Sequence, residues 1–142
     1  MDGDTIAIDI GETTLLARLE RERAPRTCQA FAAALPLRDQ VIHVRWSGEG
    51  LWVPLGDRDW SLGSENATSY PAPGHVLLYP GGVSESEILL AYGPTRFASK
   101  AGQLAGNRFL SVIEGLEALV ALGPRVLREG ARPISFRPAQ PR

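Results

Sequence analysis

Cysteine is almost absent: Cys28 is the single thiol in 142 residues, so no internal disulfide can form and stability must come from a packed core. No apolar run approaches the length that spans a bilayer. The acidic opening "MDGDTIAIDIG" lacks the basic start and long apolar stretch of a secretory signal. Neither sign of charge dominates, with 15 basic and 16 acidic residues and a net charge of -1. That balance removes the electrostatic case for nucleic acid or an anionic membrane as a partner. The two histidines, His43 and His75, stand without metal-ligand spacing, and there is no phosphate loop or Ser-His-Asp context. No metal or cofactor is expected, and the chain reads as cytoplasmic.

What is present describes a globular domain, with 44% hydrophobic and 22% charged residues. Thr5 to Ile10 and Thr13 to Leu19 alternate apolar and polar residues around the turn signal "IGET", so they read as paired strands. In "APRTCQAFAAALP" the period switches. Cys28, Phe31, Ala32 and Leu35 fall on one helical stripe, started by Pro25 and stopped by Pro36. Further strands are expected at Val41 to Trp46, Leu51 to Leu55, Val76 to Tyr79, Glu87 to Tyr92, Arg108 to Ile113 and Ile134 to Phe136. A second helix is expected from Glu114 to Leu122, with Leu116, Leu119 and Val120 on its apolar face and Gly123-Pro124 ending it. About eight short strands and two helices in one domain predict a mostly β fold. Closure into a barrel would remove exposed sheet edges, and the helices would cap its ends.

This order resembles the cyclophilin fold. "APRTCQAFAAALP" is similar to the first cyclophilin helix, "IHVRWSG" to the histidine-arginine strand, and "GNRFLSVIEGLEALVAL" to the strand, turn and helix near the C-terminus. Longer stretches, "RWSGEGLWVPLG", "ENATSYPAPGHVLLYPGG" and "SESEILLAYGPTRFASKAGQLAGNRF", resemble a bacterial family of cyclophilin-like proteins of unknown function, the DUF3830 group. The resemblance implies the barrel and implies no particular activity. The chain departs from the isomerases: it has no Gln-Gly-Gly stretch, and "EILLAYG" replaces their phenylalanine-rich strand. Arg45 is the one counterpart of their arginine, shifted by one position against the histidine.

Side chains alternate along a strand. Taken as one strand, Val41, His43 and Arg45 share a face that Ser47 and Glu49 would join. The apolar set Ile42, Val44 and Trp46 is then expected inside the barrel. In "SESEILLAYG" the same count turns Ser86, Ile88, Leu90 and Tyr92 inward and Glu85 and Glu87 outward. Two glutamates two apart on one face repel unless a cation lies near, and Arg45, Arg96 and Lys100 are candidates. The long polar segment "RFASKAGQLAGN" adds Arg96, Lys100, Gln103 and Asn107. The candidate ligand site is therefore Arg45, Trp46, Ser47, Glu49, Glu85, Glu87, Arg96, Lys100, Gln103 and Asn107 on the outer barrel face. An arginine there suits a small polar or anionic ligand, since it grips a carboxylate through two parallel hydrogen bonds. Two other functions fit the same sequence. One is residual prolyl isomerisation or proline-peptide binding. The other is a non-catalytic role through homo-oligomerisation, with the proline-rich C-terminal tail reaching a neighbour.

Overall fold

The computed structural model describes residues 3–139. The described strands are β1 (Thr5–Ile10), β2 (Thr13–Leu19), β3 (Leu37–His43), β4 (Gly48–Gly56), β5 (Ala67–Thr68), β6 (His75–Tyr79), β7 (Ser86–Thr95), β8 (Ala98–Ser99), β9 (Gly102–Gln103), β10 (Gly106–Glu114) and β11 (Arg132–Pro138). The helices are α1 (Pro25–Ala33) and α2 (Leu116–Glu129). Antiparallel pairing runs β2-β1-β11-β3-β4-β7-β6-β10, and β10 pairs back onto β2. That closes the eight strands into a barrel, so none of these eight is left as an open edge along the described sheet. β5 adds a two-residue pairing to β10, and β8-β9 form a separate hairpin. No helix among the described residues is long and apolar enough to cross a membrane.

The alternation in the sequence decides which side chains fill the barrel. Ile6, Ile8 and Ile10 of β1 and Leu15, Ala17 and Leu19 of β2 all point into the core. So do Leu51 and Val53, Val76 and Leu78, and Ile88, Leu90 and Tyr92. Helix α1 presses Phe31 into this core, 4.8 Å from the Phe109 ring and 5.4 Å from Phe136. Burying one such side chain contributes about 1.5–3 kcal/mol. Ala24, the residue before α1, has no side chain able to cap the helix. The cap comes from a distant loop instead: Glu65 accepts hydrogen bonds from the Arg26 amide (3.2 Å), the Thr27 amide (2.8 Å) and the Thr27 hydroxyl (2.8 Å).

Helix α2 runs past the expected stop, with Pro124 inside it. A proline in a helix interior costs about 3 kcal/mol. Two further side chains, Leu122 and Val126, extend the buried stripe begun by Leu119. Each contributes about 1.5–3 kcal/mol when buried, which offsets the proline. Gly123 lies on the core face, where a Cβ would come within 2.5 Å of the Tyr92 ring. Val120, expected on the apolar face, is instead exposed.

A second apolar layer lies outside the barrel. Val44, Leu77, Tyr79, Leu89, Phe97 and Leu104 pack together, with Trp52 partly buried against them. The segment from Arg96 to Ala105 covers this face. Strand β7 is buried along both faces from Ser86 to Gly93 for that reason.

The covering segment also corrects the expected orientation of β3. Val41 is fully buried in the barrel core, and His43 shares its face and bonds the Tyr92 hydroxyl at 2.7 Å. Ile42 lies opposite Trp52, and Val44 joins the outer layer rather than the interior. Trp46, also expected inside, is 57% exposed. Apolar residues occupy both faces here, so their count cannot distinguish inside from outside. The strand also ends at His43, so alternation does not carry through to Arg45. Arg45 is nevertheless outside the barrel, because the turn that holds it projects from the outer face.

Candidate functional site

The outer apolar layer does not close completely. Between the β3–β4 turn, the exposed face of β4 and β7, and the covering segment lies a hollow of about 180 Å³. The turn contributes Val44, Arg45, Trp46 and Ser47; the sheet contributes Trp52 and Glu87. Ser84 closes one end, and Ala98, Ser99 and Lys100 close the other.

Specific contacts hold the walls apart. The Ser47 hydroxyl accepts a hydrogen bond from the Ala98 amide (2.9 Å) and donates to the Ala98 carbonyl (3.1 Å). The Arg96 amide donates to the Ser47 carbonyl at 2.9 Å. Together these pin the covering segment to the turn. Phe97 anchors the same segment, fully buried and edge-on to Tyr79 with ring centres 5.7 Å apart. The Tyr79 hydroxyl accepts from the Val83 and Ser84 amides (2.9 and 3.3 Å), which shapes the opposite rim.

Glu87 sits on the floor. It lies across from Pro54 on β4 and from Tyr79 on β6. It is 7% exposed, and its carboxyl makes no hydrogen bond or ion pair with any described residue. Among the described residues, no enclosed side-chain nitrogen or oxygen lacks a partner. The Glu87 oxygens therefore open onto the hollow. Burial, reinforced by the charge of Glu85, pushes its carboxyl up to about 7. Arg45 and Lys100 line the same hollow, and neither forms an ion pair within the described chain.

Five of the ten residues singled out in the sequence thus converge: Arg45, Trp46, Ser47, Glu87 and Lys100. Glu85 is exposed beyond the rim, near Asp57 and Arg58. Glu49 turns away over Gly93, where a Cβ would overlap its carboxylate. Arg96 and Gln103 are exposed on the covering segment outside the hollow. Asn107 is buried elsewhere. It accepts from the Glu65 amide and donates to the Thr27 hydroxyl and the Gly63 carbonyl, so it joins the network that caps α1. The wall residues Ser84 and Ala98 carried no sequence signal, since only the path of the loops brings them to the hollow; Ser99 belongs to the polar segment that the sequence did mark. The Ser99 hydroxyl accepts from the Ala101 amide at 3.0 Å.

Two other titratable groups are structural. Cys28 donates to the Phe109 carbonyl at 3.3 Å, and burial pushes its thiol up to about 11. His75 accepts from the Ala72 amide at 3.0 Å, and burial, assisted by the nearby Arg108 charge, lowers its pKa.

Solved structures similar to this chain share its barrel. McbB, in complex with tryptophan, has a TM-score of 0.74 at 19% identity, with 96% of this chain and 45% of McbB covered. The chain therefore spans less than half the length of McbB. A hypothetical protein from Archaeoglobus fulgidus has a TM-score of 0.60 at 18% identity, covering 96% of this chain and 95% of that one. A cyclophilin-type peptidyl-prolyl cis-trans isomerase from Cryptosporidium parvum, solved in the presence of the dipeptide Ala-Pro, has a TM-score of 0.59 at 13% identity, with 96% and 99% covered. At such identities the likeness shows the fold alone. No curated protein matches the sequence. The model of one family, described as a protein of unknown function, matches residues 6–137, and the chain belongs to that family, DUF3830.

Proposed function

We propose that the chain binds a small organic anion in the hollow on its outer barrel face. The observation that carries this reading is the pair of cations Arg45 and Lys100, which rim the hollow and form no ion pair with any described residue. Glu87 on the floor, 7% exposed, is a further point of contact: its carboxyl has no partner among the described residues, and burying it that way costs several kcal/mol. The two cations set the sign of the ligand. Arg45 offers a planar fork that suits a carboxylate. Trp52, Val44 and Trp46 form an apolar wall that suits a short hydrocarbon or aromatic part.

Calorimetric titration with 3-phenylpropionate tests the reading. The wild type is expected to bind it, and the double variant Arg45→Ala/Lys100→Ala to lose that binding while melting at an unchanged temperature. Equal binding by both proteins, or by neither, overturns it.

A further inference from the structure

Resting on that reading, we infer that the hollow is built for an amino acid rather than a simple acid: the ligand's carboxylate meets Arg45 and Lys100 at the rim, and its ammonium meets the Glu87 carboxyl on the floor. Two opposed sets of charge face one space of about 180 Å³, too small for two ligands. The rim cations have no ion-pair partner among the described residues, and neither has the Glu87 carboxyl. A plain carboxylate would satisfy the rim and leave Glu87 with a second acid beside it. A plain amine would satisfy Glu87 and face two cations. A molecule carrying both groups answers every unpaired charge in the hollow at once.

The groups around Glu87 agree with this assignment. The loop leading into its strand contributes Glu85, a second negative charge that favours a cation alongside, with Asp57 and Arg58 beyond it. The β3–β4 turn contributes Arg45, and the β8–β9 turn contributes Lys100. From β6, the Tyr79 hydroxyl is occupied by the Val83 and Ser84 amides. From β4, Trp52 and Pro54 contribute no titratable group. Among the described residues, none therefore pairs with Glu87 as its cation.

The arrangement couples binding to a proton. With an empty hollow and a carboxyl pushed up to about 7, Glu87 is mostly neutral at pH 6. When the ammonium arrives, the Glu87 O–H bond breaks, the proton leaves to solvent, and a carboxylate-ammonium pair remains; no bond of the ligand changes.

Isothermal titration of the wild type with L-phenylalanine, 3-phenylpropionate and 2-phenylethylamine, at pH 6 and pH 8 in buffers of differing ionisation enthalpy, tests this. L-Phenylalanine is expected to bind more tightly than either single-charge analogue. It should release nearly one proton per ligand at pH 6 and almost none at pH 8, and its affinity should rise by up to about tenfold per pH unit between pH 5 and 7. Glu87→Gln should abolish the proton release and the preference for L-phenylalanine over 3-phenylpropionate. If that variant fails to fold, the wild-type proton count decides. Binding of 3-phenylpropionate at least as tight as that of L-phenylalanine, with no proton released, overturns the amino-acid assignment and leaves the anion site standing. Binding of none of the three overturns both.

Discussion

Replacing Glu87 by glutamine isolates the energetic consequence of burying a carboxyl on the floor of the hollow. The group's pKa rises from an ordinary 4.5 to about 7 in the folded chain. At 1.36 kcal/mol for each unit, the proton's preference for the folded state amounts to at most about 3 kcal/mol. The folded state holds this proton more tightly than the unfolded one. The stability it contributes is therefore fully present below about pH 4.5, declines as pH rises, and is gone above about pH 7. Glutamine occupies the same space and never ionises. Urea unfolding of both proteins from pH 4.5 to 8.5 reads the difference directly and cancels the contributions of His75 and every other titrating group. The two stabilities should be similar at the acid end. At pH 8.5 Glu87→Gln should be the more stable by up to about 3 kcal/mol, roughly 10 °C in melting temperature for a domain of this size. Stability curves that stay parallel across the range would show that the Glu87 carboxyl is solvated, and the reasoning about the floor would fail.

Other parts of the fold give equally specific outcomes. Glu65→Ala removes the acceptor for two amides and one hydroxyl at the start of α1 and should lower the unfolding free energy by about 1–3 kcal/mol with an unchanged denaturant slope. Burial opposes the Glu65 charge, but the hydrogen bonds from Thr27 and Arg26 overcome it and hold its pKa below the usual range. The wild type's advantage should accordingly shrink as the solution is acidified through that range. Gly123→Ala separates packing from helix propensity. Propensity alone favours alanine by about 1 kcal/mol, whereas overlap with the Tyr92 ring should destabilise by about 1–3 kcal/mol; a rise in melting temperature would refute the packing argument. Cys28 should stay unmodified by a thiol reagent at pH 8 in the native state and react promptly in urea, since burial keeps its thiol protonated.

How far the fold was legible in the sequence depended on what each strand faces. β1 and β2 have one face in the core, so period two located both with their exact bounds. Along the stretch into β7, the inward set Ser86, Ile88, Leu90 and Tyr92 is told apart from Glu85 and Glu87 because it is the more apolar of the two. The segment Val41 to Trp46 defeated the same reasoning. A distant loop, anchored by Phe97 and Leu104, buries its outer face, and no local pattern announces that cover. Helix α2 outran Gly123-Pro124 for a similar reason, since the competing burial of Leu122 and Val126 is tertiary.

The same limit governs the site. Arg45 and Glu87 stood out as charges beside apolar strands, and Lys100 as a cation in a long polar segment. Their convergence on one hollow is the work of the covering segment and of the Ser47–Ala98 hydrogen bonds. Asn107 looked equally polar in the sequence, yet its amide is consumed in holding the Glu65 loop against α1. Composition cannot separate a polar side chain spent on the fold from one left open to solvent.

The claim that a ligand enters beside Glu87 is tested most directly by the indole N–H resonances of the three tryptophans during titration with L-phenylalanine. Trp46 and Trp52 line the hollow, while Trp60 lies in the barrel core with its indole N–H bonded to the Ser86 hydroxyl at 3.0 Å. Saturable shifts of the Trp46 and Trp52 signals with Trp60 unmoved are the expected result. Three unmoved signals, or a shift of Trp60 alone, would contradict the account.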